Sequence, residues 1–126
     1  MWFDHREELS AVIDVDELLS RCMGNLEFAE RVLALLQDRC SVDIEELDRA
    51  VGEGDVQTIA SIAHRLKGAY ANAAAAELKS QAAQLEDAAL YASTTEVEQS
   101  WGRLRERWNE FNAAVAKSVS GVSVSG

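Results

Sequence analysis

One histidine, His64, stands in a stretch that holds no Asp or Glu, residues 56–76, bounded by Asp55 and Glu77. The whole chain carries 22 acidic residues against 12 Lys and Arg, a net charge of −10. The cleared stretch instead places Arg65 and Lys67 beside the histidine, so its local charge is positive. On a helix, residues three and four apart share a side, which groups His64 with Lys67 and Gly68. A neutral imidazole is nucleophilic near neutral pH, since its unperturbed pKa is ~6.5. Phosphoryl transfer asks a protein for positioning and for positive charge near the equatorial oxygens. Lys67 can supply that charge, and a nearby carboxylate would repel the product. A mid-helix glycine costs about 1 kcal/mol relative to alanine, so Gly68 needs a reason. Clearance for a bulky group on His64, and for another protein's backbone, supplies one. A solvated helix face with an ordinary surface histidine explains the same residues one by one. The string His-x-Leu-Lys-Gly is too short to decide between the two; the missing acids and the helical frame favour the chemical reading.

The elements that must position these residues are helical. The chain has no proline, so nothing removes a backbone donor or kinks a long helix. "DVDELLSRCMG" reads as a short amphipathic helix ending at Gly24, with Asn25 capping the next start. Ala29, Leu33, Leu36, Cys40, Ile44, Leu47 and Val51 step by three and four along one long helix, which stops at "GEGD". Asp55 is a fresh N-cap for a helix with Val56, Ile59, Ala63, Leu66, Tyr70 and Ala73 on one stripe. A further helix carries Leu78, Ala82, Leu85 and Ala89. "YASTTEVE" offers two capping boxes, Ser93 with Glu96 or Thr95 with Glu98. The last helix has the seam Val97, Trp101, Leu104, Trp108, Phe111, Val115, which reads as core. The expected fold is all-α, an antiparallel up-and-down four-helix bundle with a short additional N-terminal helix. Residues 1–117 form the domain, and residues 118–126 read as a flexible Ser/Gly/Val tail.

Composition excludes several functions. A strongly acidic chain lacks the basic footprint that nucleic acids require and is repelled by anionic membranes. No apolar run approaches transmembrane length and "MWFDHREEL" has no apolar core of a signal peptide, so a soluble cytoplasmic protein is expected. Met1 and the short ends point to a free-standing chain. Cys22 and Cys40 sit among apolar residues at helical spacing and read as buried reduced thiols. His5, beside Asp4 and Arg6, reads as terminal surface; with His64 it makes up the whole histidine complement. That leaves no pattern for a zinc site or a metal-dependent or hydrolytic enzyme.

At "AHRLKGAYANAAAAELKSQAAQLEDA" the sequence resembles a histidine-containing phosphotransfer (HPt) domain, with His64, Leu66, Lys67 and Gly68 at the family's spacing. The resemblance extends over residues 13 to 116. It implies a phosphohistidine carrier in a phosphorelay, not an ATP-dependent kinase: His64 accepts a phosphoryl group from the aspartyl phosphate of a response-regulator receiver domain and passes it to another receiver. By the same resemblance Lys67 steadies the phosphoryl group, Gly68 leaves it room, and Glu86 accepts a hydrogen bond from the imidazole. No cofactor is implied, because the Mg²⁺ of such reactions belongs to the receiver. The implied partners are receiver domains, including those of hybrid histidine kinases, with the carrier a monomer. Partner contacts would fall on the exposed faces around His64, with Ser61, Arg65, Ala71 and Lys79 as candidates beside Gly68. The alternative is a non-catalytic helical adaptor that docks receivers without phosphoryl transfer.

Two residues depart from the family pattern. Ala74 stands where the family has a glycine at the turn into the next helix, so either Ala74 or Asn72 must take the left-handed conformation. Tyr70 replaces a small residue and is expected to pack between helices.

Overall fold

The computed structural model describes residues 6–123, with side chains from Glu7 to Lys117. Six helices follow one another: α1 (Arg6–Ser10), α2 (Val15–Arg21), α3 (Leu26–Glu53), α4 (Val56–Asn72), α5 (Ala76–Tyr91) and α6 (Thr94–Ser123). There is no strand among the described residues, and no helix among them is long and apolar enough to cross a membrane.

The boundaries have local causes. Asn25 and Asp55 accept hydrogen bonds from the backbone N–H groups of Phe28 and Thr58, which caps α3 and α4. Of the two candidate boxes before α6, Ser93 is the one whose hydroxyl accepts from Glu96 N–H, at 3.3 Å. Gly54 closes α3 in the left-handed conformation at φ +70°, which glycine adopts without a Cβ penalty.

The four long helices form a closed ring: α3 packs on α4 and α6, and α5 packs on α4 and α6. Their direction is visible in the pairings. Asp43 bonds Arg65 while Cys40 lies beside Tyr70, so residue numbers rise on α4 as they fall on α3. Gln37 with Asn112 and Asp48 with Arg105 show the same opposition between α3 and α6. The core is the set of seams at steps of three and four. Leu33, Leu47, Ile59, Leu66, Leu78, Leu85, Leu104 and Phe111 are all buried, each burial worth about 1.5–3 kcal/mol. Trp108 stacks on Phe111 at 5.5 Å and tilts toward Tyr70 at 6.4 Å. Val56, placed on the α4 stripe by its spacing, is exposed instead. It occupies the first turn, beyond the reach of the neighbouring seams.

The N-terminal part contributes two short helices where the sequence suggests one. The added helix is α1, whose Leu9 is buried in the core and which packs on α6. A five-residue helix is too short to show a period. At the other end α6 continues to Ser123, past the domain boundary at 117/118. Without proline or a capping signal, an established helix propagates at little cost. Residues 1–5, including His5, and residues 124–126 lie outside the described residues.

Candidate functional site

The middle turns of α4 carry His64, Lys67 and Gly68 on one side, as the helical period requires. The facing turn of α5 carries Glu86. Its position follows from packing: Leu85 is fully buried, which turns the next residue to the margin of the α4–α5 seam, where α4 presents His64. Glu86 Oε2 lies 2.9 Å from His64 Nδ1, and Lys67 Nζ donates to Glu86 Oε1, also at 2.9 Å. One carboxylate therefore spans the imidazole and the ammonium.

Exposure separates the three. The His64 side chain is 69% exposed, Lys67 33% and Glu86 17%. The ring projects into solvent while the carboxylate beneath it is sheltered. The hydrogen bond from Lys67 does most to hold the Glu86 carboxyl below its ordinary value. Burial works against that, and the contact with His64 adds a smaller lowering. An ionised carboxylate can only accept, so the proton of the Nδ1···Oε2 contact belongs to His64, an assignment made from the partner. In the neutral ring Nε2 then carries the lone pair. It makes no hydrogen bond among the described residues. Such an arrangement can offer Nε2 as a nucleophile from an exposed ring, with a carboxylate behind it that would stabilise positive charge on the imidazole.

Gly68 lies next to His64 on the exposed face, and a Cβ built there would meet nothing within 4 Å. No packing among the described residues requires the glycine. Arg65 is held across to α3: its Nη2 donates to Asp43 Oδ1 at 2.7 Å and its Nε to Oδ2 at 3.3 Å. As a partner-binding candidate it is thus already engaged with a carboxylate. Ser61 and Lys79 are exposed, whereas Ala71 is half-buried and its carbonyl accepts a hydrogen bond from Arg21. Sequence reading missed Asp43, because nothing in local spacing links it to a residue on another helix.

The turn below the site settles which residue is left-handed. Asn72 ends α4, and Ala74 takes φ +59°, at a cost of about 1–2 kcal/mol. Asp14 N–H donates to the Ala74 carbonyl at 2.9 Å, so the segment before α2 braces the turn. Tyr70 is fully buried, its hydroxyl beside the Cys40 thiol without a well-formed hydrogen bond. Both cysteines are free and buried. Burial pushes the Cys40 thiol up to about 12. Among the described residues no group of three or more His, Cys, Asp or Glu is placed to hold a metal ion.

The family model for the Hpt domain matches residues 31–118, more than half of the chain. Neither the curated proteins nor the solved structures contain a significant match.

Proposed function

The chain belongs to the Hpt domain family, whose role is histidine phosphotransfer in two-component signalling, and from that premise we propose that His64 is the phosphoryl acceptor of a relay between receiver domains. In the forward step the Nε2 lone pair attacks phosphorus of a receiver's aspartyl phosphate. The acyl P–O bond breaks, and its electron pair returns to the aspartate as a carboxylate. The ring keeps its Nδ1 proton and gains a positive charge, which Glu86 stabilises from 2.9 Å. Lys67 offers its ammonium to the phosphoryl oxygens, and Gly68 admits the incoming group. Transfer to a second receiver reverses these steps. The chain acts as carrier only, neither kinase nor ATPase, and the Mg²⁺ that assists the exchange belongs to the receiver's acidic pocket.

The observation that carries this reading is the Nδ1 contact to a sheltered, ionised carboxylate, which leaves the outward Nε2 as the nucleophile. Incubation with a phosphorylated receiver should place acid-labile, alkali-stable label on this protein. The label should be lost in His64→Gln. Equal labelling of both proteins sinks the assignment. Receiver binding without any label supports the adaptor instead.

A further inference from the structure

The stretch 56–76 holds no carboxylate of its own, yet the fold brings two to it from other helices. Toward α3, Asp43 accepts two hydrogen bonds from the Arg65 guanidinium, at 2.7 and 3.3 Å. Toward α5, Glu86 accepts from Lys67 at 2.9 Å. Both carboxylates are sheltered, each 17% exposed, while their cations are 54% and 33% exposed. The exposed ring of His64 therefore stands between two ion pairs. The cations and carboxylates cancel, and a neutral imidazole adds no charge. Further out the balance is negative. Glu46 acts on Arg65 with the same sign as Asp43, Asp87 is exposed next to Glu86, and the whole chain carries −10. The positive stretch of the sequence thus becomes a neutral site in the folded protein.

We propose that Asp43 and Glu86 are positioning residues that make this site selective: by holding Arg65 and Lys67 in ion pairs, they close the resting histidine to free phosphate and leave it open to a phosphoryl group fixed on Nε2. The inference rests on the relay reading above and adds what the site rejects. A free phosphate ion faces two costs. It loses translational freedom on binding, and it competes with carboxylates already seated on both cations. An exposed ion pair of this kind opposes it by up to about fivefold in affinity. A phosphoryl group bonded to Nε2 faces only the second cost, because the covalent bond already holds it beside the cations. Lys67 has three donors, so it can reach that group while it still touches Glu86. Asp43 has the cleaner role of the two carboxylates. It bonds Arg65 and none of His64, Lys67 and Glu86, so it acts on the site only through Arg65. The two pairs together keep the histidine vacant for a donor that brings its phosphoryl group in place.

The test titrates the full chain with inorganic phosphate and follows the His64 and Lys67 resonances by NMR. Ionic strength is held at about 0.1 M, where distant charges are screened, and pH at about 8, where an unperturbed imidazole is neutral. Asp43→Asn and Glu86→Gln should each raise phosphate affinity about three- to fivefold over the parent. The two together should raise it about tenfold or more. Asp48→Asn removes a carboxylate that pairs with Arg105 on the α6 side of α3 and should change nothing. Adding Arg65→Ala to Asp43→Asn should abolish the gain. Circular dichroism checks the fold, and Glu86→Gln carries the test if Asp43→Asn loses helicity; a gain of affinity cannot come from unfolding. A parent that binds phosphate as tightly as the variants overturns the proposal. So does a gain at Asp43→Asn that survives Arg65→Ala, or one that Asp48→Asn reproduces. Labelling of His64 by a phosphorylated receiver is measured alongside. Label on the parent with equal phosphate binding in all variants rejects this proposal and leaves the relay standing. Gains in phosphate affinity with no label from any receiver keep the counter-ion assignment and reject the relay.

Discussion

Lys67 is bonded to Glu86 at 2.9 Å across the α4–α5 seam, so the cation expected to serve a phosphoryl group rests on a carboxylate in this structure. The two roles compete for one ammonium. A phosphoryl dianion on Nε2 must draw Lys67 outward or share its three donors with Glu86. Lys67→Ala should therefore shorten the phosphohistidine lifetime or slow transfer, with helicity unchanged by circular dichroism. Loss of helicity would make Lys67 a structural residue instead.

Glu86 links the site to pH. Its native carboxyl value is lowered, chiefly by the hydrogen bond from Lys67. The stability it contributes is complete above the ordinary carboxyl value of ~4.3 and disappears as pH falls through the lowered native value. The stability difference between the parent and Glu86→Gln should then be present at neutral pH and shrink in acid. Urea denaturation at both conditions checks this, and a difference that grows in acid contradicts the assigned direction.

Gly68→Ala separates stability from function. The Cβ enters open space and removes a mid-helix glycine, so thermal or urea unfolding should show a gain of about 1 kcal/mol. Phosphoryl transfer from a receiver should fall in the same variant. Unimpaired transfer would end the clearance argument.

Tyr70 buries a hydroxyl that lacks a well-formed hydrogen bond. An unsatisfied buried hydroxyl costs about 1–3 kcal/mol. Tyr70→Phe keeps the ring against Trp108 and should leave the protein as stable or more stable. A clear loss of stability would show that the contact with the Cys40 thiol is favourable.

Met23 and Ala74 both hold positive φ, at 57° and 59°, yet their glycine variants should differ. Met23 is 93% exposed, so Met23→Gly relieves about 1–2 kcal/mol of backbone cost and gives up no packing. Ala74 is 7% exposed, and removing its methyl forfeits ~0.8 kcal/mol of that relief. Unfolding of the two variants should show the larger gain at position 23.

The sequence by itself determined the presence of helices α2 to α6 and the grouping of His64, Lys67 and Gly68. Both follow from short-range physics: an apolar period of three to four, caps that satisfy backbone N–H groups, and a helix turn that stacks residues three and four apart. It located Glu86 only through resemblance to a family. The tertiary structure decided everything that depends on contact between helices. It set both oxygens of Glu86 on different partners, engaged Arg65 with Asp43, and made α1 part of the core through Leu9. It also assigned the left-handed turn to Ala74 rather than Asn72, because the Asp14 N–H and the packing of the turn hold that residue in place. Such pairings join residues whose separation in sequence carries no period, so only the packing of the bundle brings them together.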